Sequence, residues 1–152
     1  HQTTPMKTKL ILLVTLLTSL AFAHEGVELG PNGGRIIELS ENETMHGEVT
    51  VKGDQFHIAV LDKDKKPVAL AQQSLTAMTG DRAKPQKLEV TKDAKGFVIP
   101  VVKPGEWLVL RYKDSADAKT VTARFEYNTA ICEECQAVEW LCKCKPGAEK
   151  AD

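Results

Sequence analysis

No cysteine occurs before position 132; all four, Cys132, Cys135, Cys142 and Cys144, lie near the C-terminal end. The strand-rich middle therefore lacks the inter-sheet disulfide that staples antibody domains. Charge of one sign is also missing: 20 Lys and Arg stand against 21 Asp and Glu. Aromatic residues make up only 5% of the chain, and no basic patch is interleaved with them. Nucleic-acid binding is excluded on those grounds. Only one long hydrophobic run is present, between Leu10 and Leu20. Catalytic signatures are absent as well, with no G-x-S-x-G, H-E-x-x-H or phosphate loop. Ser19, Ser40, Ser74 and Ser115 are the only serines, none in a nucleophile context, and no helix pattern follows Gly33-Gly34. The chain reads as a non-enzyme.

The hydrophobic run has the marks of an export signal. Lys7 and Lys9 precede it, Thr15, Thr18 and Ser19 interrupt it, and Ala21-Phe22-Ala23 closes it with small residues at the first and third places. A bilayer crossing needs roughly 20 apolar residues, so this run is too short to span. Cleavage after Ala23 is expected, leaving His24 as the new terminus and residues 1–5 as an extraneous start. The mature chain then carries 18 basic residues, since Lys7 and Lys9 leave, against all 21 acidic ones. It is expected to be periplasmic or secreted, with no membrane span after signal removal.

Between residues 24 and 127 the pattern is that of short strands and turns. Glycine and proline crowd 26–34, which reads as loop. Arg35 to Leu39 is a first strand. Met45, Gly47, Val49 and Val51 alternate with His46, Glu48 and Thr50, and a turn at Lys52 to Gln55 leads into Phe56 to Leu61. Pro67 to Leu70 is at most an edge strand. Ser74 to Thr79 follows, and Lys87 to Thr91 with Phe97 to Val102 suggests a second hairpin. Glu106 to Tyr112 is apolar enough for a central strand. Thr120 to Tyr127 alternates, with Val121, Ala123, Phe125 and Tyr127 inward. About eight strands without intervening helices predict an all-β fold, an antiparallel immunoglobulin-like or Greek-key sandwich. A signal helix precedes it, and residues 128–152 form a cysteine-bearing tail. Ile131, Cys135, Val138 and Cys142 recur at helical spacing, so a short helix is expected there.

Two segments, Gly30-Pro31-Asn32-Gly33-Gly34-Arg35-Ile36-Ile37-Glu38 and Phe56-His57-Ile58-Ala59-Val60-Leu61-Asp62-Lys63-Asp64-Lys65-Lys66-Pro67-Val68, carry a resemblance. Together they resemble a group of small exported bacterial β proteins that accompany heavy-metal efflux systems. They are also similar to the N-terminal region of some of the periplasmic adaptors of those systems. The group's usual loop reads G-P-H-G-G with histidines crowded before it. Here Asn32 stands in place of that histidine, and in the mature chain only His24 precedes the loop. The resemblance implies metal handling and an efflux-system partner.

Candidate ligands fall into two sets. The thiols are spaced C-x2-C-x6-C-x-C, and four thiolates suit a tetrahedral zinc ion or a soft copper(I) ion. A regular helix forbids convergence, because seven residues from Cys135 to Cys142 rise about 10.5 Å. A four-thiolate site needs the chain to fold back between Gln136 and Leu141. The alternatives are disulfides, which an oxidising compartment favours, or reactive thiols. Thioredoxin-like use of Cys132 and Cys135 is disfavoured at the end of an all-β chain. The second set is His24, His46, His57 and Glu48. A terminal His24 offers an amine and an imidazole to copper. In the expected hairpin register Thr50 faces His57 and Leu61 faces His46, setting the two histidines roughly 13 Å apart. Glu48 is then the diagonal neighbour of His57. Two functions fit: an exported copper- or zinc-binding protein acting near an efflux system, or a structural or interaction module of the envelope with a disulfide-stapled tail.

Overall fold

The computed structural model describes residues 27–144. The signal segment, its cleavage point and His24 lie outside the described residues, as do positions 145–152.

Among the described residues, nine strands make two antiparallel sheets. They are β1 (Arg35–Glu38), β2 (Met45–Lys52), β3 (Gln55–Asp62), β4 (Ser74–Thr79), β5 (Gln86–Leu88), β6 (Thr91–Lys92), β7 (Phe97–Pro100), β8 (Trp107–Lys113) and β9 (Val121–Glu126). One sheet has the order β1-β2-β3-β7-β6 and the other β5-β4-β8-β9. The chain thus changes sheet three times, after β3, β5 and β7. The expected all-β sandwich is what forms.

The β2–β3 hairpin has the register expected from alternation, with Thr50 opposite His57 and His46 opposite Leu61. Gly53 sits in its turn with φ of 62°, a left-handed conformation that glycine adopts without penalty. Val49, Phe56, Ile58 and Val60 point into the core from this hairpin, and Leu108, Leu110, Tyr112 and Phe125 meet them from the other sheet. The inward assignment in β9 also holds: Phe125 is buried, whereas Thr122, Arg124 and Glu126 are exposed.

One expectation gives way in part. Of the expected hairpin of residues 87–91 and 97–102, only the part at the Asp93 to Gly96 turn forms, where Thr91 and Lys92 pair with Val98 and Phe97. β5 pairs with β4 in the second sheet, while β6 joins β7, itself bonded to β3, in the first. The chain crosses between sheets at Glu89 and Val90, and alternation over so few residues carries no record of which sheet a strand joins. Pro67 to Leu70, expected to be an edge strand at most, makes an isolated bridge from Pro67 to Leu61, and Val68 N–H donates to Val60 O at 2.9 Å. Among the described residues, no helix is long and apolar enough to cross a membrane.

Candidate metal centre

The tail leaves β9 as a hairpin. Trp140 N–H donates to Asn128 O at 3.0 Å, Glu139 N–H to Ala130 O at 2.8 Å and Cys132 N–H to Ala137 O at 2.8 Å. Ile131 and Val138 form an antiparallel bridge. The reversal lies at 133–136, closed by Gln136 N–H donating to Cys132 O at 2.9 Å, with Gln136 at φ of 61°. A single 3-10 turn, Glu139–Leu141, then returns the chain toward Cys142. The helical spacing of Ile131, Cys135, Val138 and Cys142 is thus realised as a hairpin followed by one 3-10 turn. A short helix of that length is marginal in isolation. The hairpin pairs its backbone groups equally well, and it alone makes the sulfurs converge. The required fold-back exists, but it is made at 133–136, just ahead of the stretch expected to supply it.

Trp140 fastens this tail to the sandwich. Its indole is buried and stacks on Phe125 with centroids 5.7 Å apart. Tyr127 lies 5.5 Å away and Phe56 6.1 Å away, both edge-on. The Arg35 guanidinium donates to Trp140 O at 2.9 Å and lies 5.0 Å from the Phe125 ring centroid. Burial lowers the pKa of that guanidinium from its ordinary value. One strand at the sheet edge, one tail residue and two core rings therefore hold the cysteine hairpin in place.

All four sulfur atoms lie within 4.8 Å of one another. Cys135 Sγ and Cys142 Sγ are 3.5 Å apart, and Cys132 Sγ and Cys144 Sγ 3.9 Å apart. A metal–sulfur distance of about 2.3 Å gives a tetrahedron with edges of about 3.8 Å. The gathered thiols are thus close enough to hold a metal ion with little rearrangement. All four cysteines are free.

Electrostatics favours a cation here. The Cys135 N–H, then the Cys142 thiol and the Glu134 N–H, donate to Cys132 Sγ and bring that thiol down to about 7. At Cys142 the Cys144 N–H donates to the sulfur at 3.4 Å and favours the thiolate. The Cys132 thiol, burial and the Cys135 thiol outweigh it, so Cys142 is pushed up. Cys144 is raised by the Cys142 and Cys135 sulfurs. One thiolate forms readily, and its neighbours then resist ionising beside it. A bound cation removes that resistance and expels the remaining protons.

Of the second set, His24 lies outside the described residues, and among the described residues His46, His57 and Glu48 form no ligand cluster. His57 is half-buried opposite Thr50. His46 is buried, with Nδ1 3.0 Å from Glu38, its cross-strand partner on β1. Glu48, only 1% exposed, is turned toward the glycine-rich loop. Its Oε1 accepts from Asn32 N–H at 2.7 Å and Gly34 N–H at 3.0 Å, and its Oε2 from Asn32 Nδ2 at 3.0 Å. The carboxylate offered as a partner for His57 therefore organises the G-P-N-G-G loop. Two of the loop's glycines let it approach β2 closely: a Cβ at Gly30 would lie 2.5 Å from Glu48 Cδ, and one at Gly34 2.5 Å from Val49 O. Sequence reading missed this role for Glu48. Its place on an apolar-flanked strand opposite a glycine-rich loop was the available signal. It also missed Trp140 and Arg35 as the tail's anchors, which adjoin Phe125 only across 15 and 90 residues of chain.

No protein-family model, curated protein or solved structure matches this chain.

Proposed function

We propose that this chain is an exported metal-binding β-sandwich protein that holds one zinc or copper(I) ion on Cys132, Cys135, Cys142 and Cys144. The observation that carries the reading is the sulfur cluster: four thiols from two ends of a hairpin, spaced near the edge lengths of a thiolate tetrahedron. Zinc, with no redox chemistry and a tetrahedral preference, fits four such ligands; copper(I) is the other soft ion thiolates select. The basic-apolar-small pattern of residues 6–23 supports export. The likeness of residues 30–38 and 56–68 to efflux-associated proteins supports a role in metal handling beside such a system.

Metal analysis of the mature protein, purified under reductant, tests the reading. One zinc or copper per chain is expected, with loss on Cys142→Ser and no loss on His57→Ala. Intact mass of the exported product is expected to start at His24. Absence of bound metal above background in the reduced protein overturns the proposal.

A second reading is favoured by the same distances taken pairwise. Cys135 lies against Cys142 and Cys132 against Cys144, so oxidation staples the two sides of the hairpin and the tail becomes a locked structural module. Counting free thiols separates the two: none in metal-free exported protein favours the staple, and four that become protected by metal favour the ion site.

A further inference from the structure

The four thiols are not equally placed. Cys132 and Cys142 are 8% and 6% exposed, whereas Cys144 is half-buried and Cys135 is exposed. The buried pair also receives backbone N–H donors: Cys135 and Glu134 N–H at Cys132 Sγ, and Cys144 N–H at Cys142 Sγ. Those two sulfurs are held as ligands by the fold, while Cys135 faces solvent at the hairpin reversal. Four thiolates leave no coordination position vacant, so exchange requires one ligand to leave the ion. Cys135 is the ligand that faces solvent.

Acidic side chains adjoin the exposed ligand: Glu133 and Glu134 precede Cys135 in the chain, while Lys143 lies between Cys142 and Cys144. Glu133 and Glu134 are exposed beside Cys135, and the Glu134 carboxylate interacts with the Cys144 sulfur. Four thiolates around a divalent ion add a further net charge of about −2.

Resting on the four-thiolate reading, we infer that the ion is a transferable cargo, passed on by ligand exchange at Cys135 to a thiol-bearing acceptor whose surface is basic. In the exchange the incoming thiol loses its proton as its sulfur bonds to the ion. The Cys135 sulfur leaves the ion and takes up a proton. No electron changes hands. Cys132 and Cys142 hold the ion until the acceptor's further thiols replace them. The acidic rim favours a basic acceptor and disfavours an anionic one.

The experiment uses the zinc-loaded mature protein, with loading confirmed by metal analysis so that failure to bind is seen before any rate is measured. Zinc transfer to a fixed amount of a chromogenic chelator is followed while two monothiols are added at matched thiolate concentrations. One is cationic thiocholine and the other anionic 2-mercaptoethanesulfonate. The transfer rate is expected to rise in proportion to thiol, about tenfold more steeply for the cationic thiol at low ionic strength, with salt narrowing the gap. In Cys135→Ser the ion is expected to transfer rapidly without added thiol, and the thiol dependence to vanish. A rate in the wild type that does not respond to thiol means that the ion leaves only when the tail opens, and overturns the inference. Equal slopes for the two thiols overturn the basic-acceptor part. Full thiol dependence retained in Cys135→Ser removes Cys135 from the exit route.

Discussion

Replacing Trp140 with alanine tests whether the metal hairpin and the sandwich form one cooperative unit. The indole is only 5% exposed and touches Phe56, Phe125 and Tyr127. A buried tryptophan removes roughly 200 Å² from water. At about 25 cal/mol/Å² that is worth about 5 kcal/mol, an upper figure because the unfolded chain already buries some of it. Large-to-small replacement of such a residue costs about 3–5 kcal/mol, and a site near the end of the sandwich relaxes enough to favour the lower end. The two hydrogen bonds at this residue involve its main chain, Arg35 to Trp140 O and Trp140 N–H to Asn128 O, and they survive the change. Urea unfolding of the reduced, metal-free protein is expected to show a loss of about 3 kcal/mol. Because the hairpin must dock to bring its sulfurs together, zinc affinity is expected to fall too, tenfold for each 1.4 kcal/mol or so of docking energy lost. A stability loss under about 1 kcal/mol with unchanged zinc affinity refutes the reasoning, since surface changes have effects of that size.

Other outcomes follow from single contacts. Glu48→Ala leaves the Asn32 and Gly34 N–H groups without their acceptor. Gly34 is buried and Asn32 exposed, so at about 1–3 kcal/mol for a buried unpaired group a loss of about 1–3 kcal/mol in urea unfolding is expected, with metal content unchanged. In the metal-free reduced protein the Cys132 thiol titrates near 7, below its ordinary value, so its thiolate persists above that pH and disappears as pH falls through it. Thiolate ultraviolet absorbance compared between wild type and Cys132→Ser checks this, and a first titration absent below pH 8 speaks against the N–H donors at that sulfur. Mild oxidation of the metal-free protein is expected to join Cys135 to Cys142 and Cys132 to Cys144, the pairs already 3.5 and 3.9 Å apart. Peptide mapping that finds Cys132 joined to Cys135 instead refutes this pairing.

Local chemistry alone determined the sandwich's strands and its best hairpin. Alternation along residues 45–61 and the Lys52–Gln55 turn set the register that places Thr50 opposite His57, because a one-residue slip turns every core side chain outward. The cysteine spacing likewise announced a possible ion site, and the stiffness of a helix showed that such a site required a reversal. What pattern reading left open depended on contacts distant in sequence. Whether residues 131–142 coil or reverse was decided by Trp140 finding Phe125 and Arg35 across the sandwich end. Whether Glu48 faced a histidine or a loop was decided by Asn32 and Gly34 closing over it. Periodicity records which face a side chain takes, whereas partners on that face come from strands and loops that only the folded chain brings together.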